Sequence, residues 1–417
     1  MSSLAENIKS FETKYDFVGQ SYASMYPNLH KYPATMLPQI GLELLKDFRA
    51  KKTNLLDPYC GSGSSFVSGL EYGIKDFVGF DLNPLAAMIT RARLDFIESS
   101  ELLAQKNRLL GELENIQNIA TQNSQIALDC SPLSRITNLD FWIEKTAQND
   151  LLRIFALLQN LTNKKIKNLF LLAFSETLRE SSFVRNNEFK LFRMKDYETY
   201  KPRVYEIFTR KIEAITQNYL EFYQPKLRGI SFSVFANAFK AGGRKFDTIL
   251  TSPPYGDSKT TVAYGQFSTF INEWLGFAQA RKLDSTLLGG KKATKLYEKT
   301  CIKECITEIV KIDKKRALEI SSFYFDLEAS ITSLIKCVHI GGKVFFVVGN
   351  RTVKTITLPT DIFIAEIFGT NGFRHITTLK RKISNKAMPL KNSPTNKKGI
   401  LAQTMNDECI IVCEKML

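Results

Sequence analysis

The stretch Asp57-Pro58-Tyr59-Cys60-Gly61-Ser62-Gly63-Ser64-Ser65 joins an apolar segment, Asn54-Leu55-Leu56, to a helical pattern running from Phe66 to Tyr72. Strand, glycine turn and helix in that order lift a glycine-rich run above chance, because glycines let the backbone approach a ligand that side chains would hold off. A phosphate-gripping P-loop would end in Gly-Lys-Ser/Thr, and that ending is absent. A second strand, Phe77-Val78-Gly79-Phe80, ends in Asp81-Leu82-Asn83-Pro84. An acidic residue roughly twenty positions beyond the turn, at the tip of the next strand, is placed to accept hydrogen bonds from ribose hydroxyls. Two such tips side by side in a sheet describe a nucleoside site.

Working outward, the apolar run Phe246 to Leu250 leads into Thr251-Ser252-Pro253-Pro254-Tyr255. The prolines end the strand and donate no backbone hydrogen bond, which leaves the carbonyls of Ser252 and Pro253 as free acceptors. A hydroxyl before them and a ring after them would offer acceptors to an amino group and a face to a flat base. The same five residues also suit a plain proline turn over a buried tyrosine. Upstream, His30 to Pro38 includes Tyr32-Pro33-Ala34-Thr35 and precedes an amphipathic run from Ile40 to Phe48, which reads as a helix. Thr35 is the expected N-cap, presenting backbone N–H groups to a carboxylate.

At 417 residues the chain exceeds one ordinary domain, so one core with large insertions or two domains are expected. Hydrophobic residues at 44% are ample for a core. No apolar run reaches the roughly 18 residues of a membrane helix, and Met1 to Tyr15 lacks a signal-peptide core. A cytoplasmic protein without membrane contact is expected. The formal net charge of +15 points to a polyanionic partner, nucleic acid before membrane, unless it is a general lysine enrichment. The seven cysteines are scattered and read as reduced. Cys301 and Cys305 are spaced i, i+4, but with only three histidines, His30, His339 and His375, no metal site is expected.

From Glu98 to about Arg228 helical periodicity replaces the glycine-and-strand pattern. A basic, aromatic stretch follows its apolar helices, from Arg179 through Arg185, Lys190 and Arg193 to Arg203. It is a candidate nucleic-acid face or, with Glu176, Glu180, Glu188, Asp196 and Glu198 interleaved, a solvated charged surface. Strands resume at Ser231 to Phe235, ending near Asn237. A polar, glycine-punctuated loop from Gly256 to Phe267 carries Lys259 and suits ligand contact. Residues 281–316 read as lysine-rich and helical, Phe323 to Val338 as a further helix, and Gly341-Gly342-Lys343 as the start of a strand. A strand from Phe373 to Leu379, a basic loop with Lys380, Arg381, Lys382 and Lys386, and a last strand from Cys409 to Glu414 suggest a hairpin reaching for a phosphate backbone.

In their order these parts resemble the S-adenosylmethionine-dependent amino-methyltransferases of DNA. Asp57 to Gly63 matches that family's Asp-Pro-Phe-x-Gly-x-Gly turn, Ser252 to Tyr255 its Ser-Pro-Pro-Tyr motif and Asp81 its acidic ribose residue, while Pro33-Ala34-Thr35 resembles its upstream cofactor motif. The resemblance covers residues of about 28–97 and 230–417. It implies an α/β, Rossmann-like class I methyltransferase fold, a seven-stranded, mostly parallel sheet with an antiparallel last strand. Residues 1–97 and 229–417 would be two halves of the core, with basic inserts at 281–316 and 380–400, and residues 98–228 a helical insertion that is a candidate for DNA recognition.

The resemblance further implies S-adenosylmethionine as cofactor and duplex DNA as substrate, with a cognate restriction endonuclease as functional counterpart. Tyr32, Thr35, Asp57, Tyr59, Gly61 and Gly63 would surround the methionine end, Asp81 the ribose, and Asn83 and Asn237 the adenine. At the last position the family often has an acidic residue. Ser252, Pro253, Pro254 and Tyr255 would be the catalytic motif, and Arg179, Arg185, Lys259, Lys380, Arg381, Lys382 and Lys386 would contact DNA. Serine at the first motif position favours cytosine N4 over adenine N6. Cytosine carbon-5 chemistry would need a nucleophilic cysteine after a proline, and no Pro-Cys pair occurs. Two other functions are weighed: a methyltransferase of tRNA guanine N2, and a non-catalytic nucleic-acid-binding subunit.

Overall fold

The computed structural model describes residues 13–120, 129–185, 188–257, 262–383, 391–392, 402–403 and 405–416. Seven strands, β1 (Leu55–Asp57), β2 (Asp76–Phe80), β3 (Ser231–Phe235), β4 (Phe246–Thr251), β5 (Val338–Val348), β6 (Phe373–Lys382) and β7 (Asp407–Lys415), form one sheet in the order β3-β2-β1-β4-β5-β7-β6. Strands β1 to β5 run parallel, and β7 lies antiparallel between β5 and β6. This is the Rossmann-like class I methyltransferase fold. The strand order turns back between β1 and β4, which opens a crevice at their carboxyl ends, where sheets of this kind bind ligands.

Alternation along the strands builds a core on each face. Leu55, Phe77, Phe345, Val347, Ile410 and Val412 point to one side; Leu56, Val78, Val344, Phe346, Ile411 and Cys413 point to the other. The first face is covered by α1 (Pro38–Asp47), α2 (Ser64–Tyr72) and α3 (Pro84–Leu94), and by the block α4 (Ser99–Ala120), α5 (Lys145–Gln159), α6 (Lys164–Glu180) and α7 (Val204–Asn218). Helix α8 (Tyr264–Trp274) also joins that face through Phe270, Ile271 and Trp274. The second face carries α9 (Ile302–Ile312), α10 (Lys314–Ile335) and α11 (Thr360–Gly369).

Three boundaries depart from expectation. Strand β5 starts at Val338 and passes through the glycine pair, where its register against β4 jumps from Phe246↔Val338 to Thr248↔Lys343. Gly341, at φ 73°, absorbs that irregularity instead of starting the strand. Residues 281–316 are not one helical run: a turn at Ala280–Ser285 is followed by an extended loop until α9 begins at Ile302. Helix α1 starts at Pro38 with Leu37 as N-cap and no side-chain cap, so Thr35 lies outside it. Proline at the first helical position needs no N–H partner and does part of the work expected of a capping hydroxyl. Among the described residues no helix is long and apolar enough to cross a membrane.

Candidate active site

A cavity of about 510 Å³ opens at the carboxyl ends of the strands. Its walls come from Tyr32 to Met36, the turn after β1, Asp81 to Asn83, Asn237 to Phe239, Ser252 and Pro254, Tyr264, the loop Ser285 to Leu288 with Lys291, and one face of α10. Tyr32, Thr35, Asp57, Tyr59, Gly61, Asp81, Asn83, Asn237, Ser252 and Pro254 are thus brought together.

The glycine turn has the conformation its sequence demands. Gly61 and Gly63 sit at φ 50° and 86°, in the left-handed region, and Gly63 is the N-cap of α2. A Cβ on Gly63 would lie 3.1 Å from the Thr90 side chain, whose hydroxyl donates to the Gly61 carbonyl at 2.9 Å. The Gly61 N–H donates to Asp81 Oδ2 at 2.9 Å and the Asn83 N–H to Oδ1 at 2.8 Å, which fixes the Asp81 carboxylate at the tip of β2. Burial pushes the Asp81 carboxyl up to about 6 against those two bonds.

Asp57 is also pushed up to about 6 by burial, opposed by its hydrogen bonds. It accepts from Tyr59 N–H at 3.0 Å, Ser65 Oγ at 2.5 Å and Thr251 Oγ1 at 2.5 Å. Its oxygens therefore tie β1, α2 and β4 together beneath the cavity. Asn83 is another junction: its Nδ2 donates to Tyr32 Oη at 3.0 Å, and its Oδ1 accepts from Leu85 N–H and from Asn272 Nδ2. Tyr32 stacks on Tyr264 at 5.8 Å between centroids.

Several wall residues escape sequence reading. Helix α10 contributes Asp326, Ala329, Ser330 and Ser333. The Tyr59 hydroxyl donates to Ser330 Oγ at 2.5 Å, Gly289 N–H to Asp326 Oδ2 at 2.9 Å and Ala241 N–H to Ser333 Oγ at 3.2 Å. The one available signal is a polar stripe, Ser322, Asp326, Ser330 and Ser333, along one side of an amphipathic helix. The set fits a flat base joined to a ribose: a fixed carboxylate at β2, an amide side chain at Asn237, and Leu82, Ala238, Phe239 and Leu288 as apolar surfaces.

The proline motif follows β4. Ser252 and Pro254 line the cavity, and the Tyr255 hydroxyl donates to Glu408 Oε1 at 2.9 Å. Ser252 Oγ lies 3.2 Å from the same phenol oxygen. Glu408 is ion-paired with Arg381.

Of the cations expected on DNA, Arg185 is exposed, 3.7 Å from Glu188, and Lys380 is half-buried on β6. Arg381 is a correction: β6 runs on to Lys382 instead of ending at Leu379, so this residue belongs to the sheet and turns inward, 3% exposed. Its Nε donates to the Tyr15 carbonyl at 2.7 Å and its Nη2 to that of Asp16 at 3.3 Å. Arg179 is half-buried and donates to the carbonyls of Phe267 and Glu188, and burial lowers it to about 10. Lys382 is exposed, with its backbone N–H on Asp16 Oδ1 at 2.7 Å. Lys259 and Lys386 lie outside the described residues.

No known protein-family profile matches the chain. It is 34% identical over 445 aligned positions to the Type II methyltransferase M.MvaI of Kocuria varians, with 100% of this chain and 97% of that protein covered. Among solved structures, the rRNA methyltransferase aviRa of Streptomyces viridochromogenes gives a TM-score of 0.33 at 12% identity, covering 97% of this chain and 96% of that one. A putative RNA methyltransferase, PH1948 of Pyrococcus horikoshii, gives 0.31 at 10% identity, with 94% of each chain covered.

Proposed function

Because the chain belongs to the Type II methyltransferases, we propose that it transfers a methyl group from S-adenosylmethionine to the exocyclic N4 amine of cytosine in duplex DNA. In the cell this would shield sites from a cognate restriction endonuclease. The observation that carries the reading is that Ser252 and Pro254 share one cavity with Asp81 and the Gly61 turn.

Bound S-adenosylmethionine supplies an electrophilic methyl group on a sulfonium sulfur. Asp81 would accept from its ribose hydroxyls, Asn237 would bond its adenine edge, and Leu82 and Phe239 would offer the base apolar surface. Tyr32, Thr35 and the Cβ-free backbone at Gly61 receive the methionine end, while Asp57 keeps the turn in shape from beneath. An arylamine lone pair is delocalised into its ring and attacks poorly until that overlap is broken. Ser252 Oγ and the Pro253 carbonyl accept the amine hydrogens, which turns the lone pair towards the cofactor side of the cavity. The target base must leave the helix to bring its edge there, and Tyr255 supplies a ring beside it. Serine at position 252 favours cytosine; the same acceptors would also serve adenine N6.

The test is transfer of labelled methyl to duplex DNA, with Ser252→Ala and Asp81→Ala beside the wild type. Ser252→Ala should lose roughly 10²-fold in transfer rate while still binding the cofactor. Asp81→Ala should weaken cofactor binding itself. Full activity in Ser252→Ala would contradict the mechanism.

A further inference from the structure

Glu408 is the second residue of β7, 153 residues from Tyr255 in sequence, yet its carboxylate receives the Tyr255 hydroxyl at 2.9 Å. Its other oxygen meets Arg381, whose guanidinium can only donate. Arg381 is itself fixed by the carbonyls of Tyr15 and Asp16, so the pair is anchored to both the sheet and the N-terminal segment. Burial holds the Tyr255 phenol well above its usual range, so its single proton stays on and goes to Glu408. What Tyr255 Oη then offers Ser252, 3.2 Å away, is a lone pair. The Ser252 proton is drawn to that oxygen, and the serine presents lone pairs to the cavity it lines.

We propose that Glu408 is a positioning residue that, through Tyr255, fixes the proton direction of Ser252, so that this hydroxyl faces the substrate amine as an acceptor. This rests on the role given to Ser252 above and adds what makes that role possible. A free serine hydroxyl is both donor and acceptor, and one turned the wrong way would present its hydrogen to the amine hydrogens. The Arg381–Glu408 pair sets one end of the chain as an obligate acceptor, and each link inherits its direction from the one before. Glu408→Gln should reverse it: Arg381 takes the amide oxygen, the amide NH2 faces Tyr255, the phenol donates to Ser252, and the serine proton turns into the cavity.

The test is a rate cycle on the full-length chain over Glu408→Gln, Tyr255→Phe and the double variant. It is read by single-turnover methylation of duplex DNA with labelled S-adenosylmethionine, with cofactor Kd and melting temperature measured for each protein. Each single variant should slow transfer at least about tenfold while cofactor Kd stays within about twofold. The double variant should be no slower than Tyr255→Phe alone, because Glu408 acts only through that hydroxyl. Losses that multiply in the double variant would overturn the proposal. So would a Tyr255→Phe protein at wild-type rate, which decides the matter even if Glu408→Gln fails to fold. A wild type that methylates no DNA amine, or a fully active Ser252→Ala protein, would refute the role of Ser252 itself. An active wild type with a slow Ser252→Ala and a fast Tyr255→Phe would refute the relay alone.

Discussion

Asp81 and Asp57 share a chemistry that sets a pH dependence. Both carboxyls sit at about 6, against 3.8 for the ordinary group. Between 3.8 and about 6 the folded chain therefore binds more protons than the unfolded one, and the two groups' contribution to stability declines as pH rises through that window. Ligand binding runs the opposite way, because ribose hydroxyls need the carboxylate of Asp81 as acceptor. Affinity for S-adenosylmethionine should strengthen as pH rises towards about 6 and level off above it, and Asp81→Asn should remove most of that slope. Calorimetric titration between about pH 5 and 8, roughly the range in which such a carboxyl changes state, checks both. The position of Asp81 was legible because a strand tip after a glycine turn is a local pattern. The inward use of Asp57 was not, since its partners include Thr251, 194 residues away.

At the scale of elements, strands and turns announced themselves through apolar runs and glycines, while their ends did not. Gly349, just past β5, shows why an element's end matters. A Cβ there would meet the Met405 side chain and come within 2.9 Å of Tyr255 Cδ2. Met405 can swing aside, but Tyr255 is held by Glu408. Gly349→Ala should displace the ring and cut methyl transfer more than about tenfold, with cofactor affinity nearly unchanged; paired rate and binding measurements check it. The loop from Ser285 to Lys291, read from sequence as lysine-rich helix, forms a cavity wall beside α10, whose wall residues lie in the further helix expected from Phe323. Lysine content there describes solvent exposure and says little about backbone path. Arg381 failed for a related reason: a basic residue at a strand's end reads as loop until the partner strand shows how far pairing continues.

For the molecule as a whole, the net charge of +15 and the placement of aromatic and basic side chains bear on the partner. Phe192 is 48% exposed, near the Arg185 guanidinium, and its neighbour Leu191 is tied by its N–H to Gln266 on α8. Helix α8 also supplies Tyr264 to the cavity, so this patch flanks the site. Under the proposed function, Phe192→Ala should weaken DNA binding at least about fivefold and leave cofactor affinity unchanged, in fluorescence titrations of each. DNA affinity should also fall about 10³-fold between roughly 50 and 200 mM salt.

The central claim is amine methylation of DNA. Unmethylated duplex DNA incubated with the protein and isotope-labelled S-adenosylmethionine, then digested to nucleosides and separated by mass spectrometry, tests it directly. The account predicts label in N4-methyldeoxycytidine, lost in Ser252→Ala. Label in N6-methyldeoxyadenosine would overturn the choice of base, and label at cytosine carbon 5, or in RNA alone, would contradict the account itself.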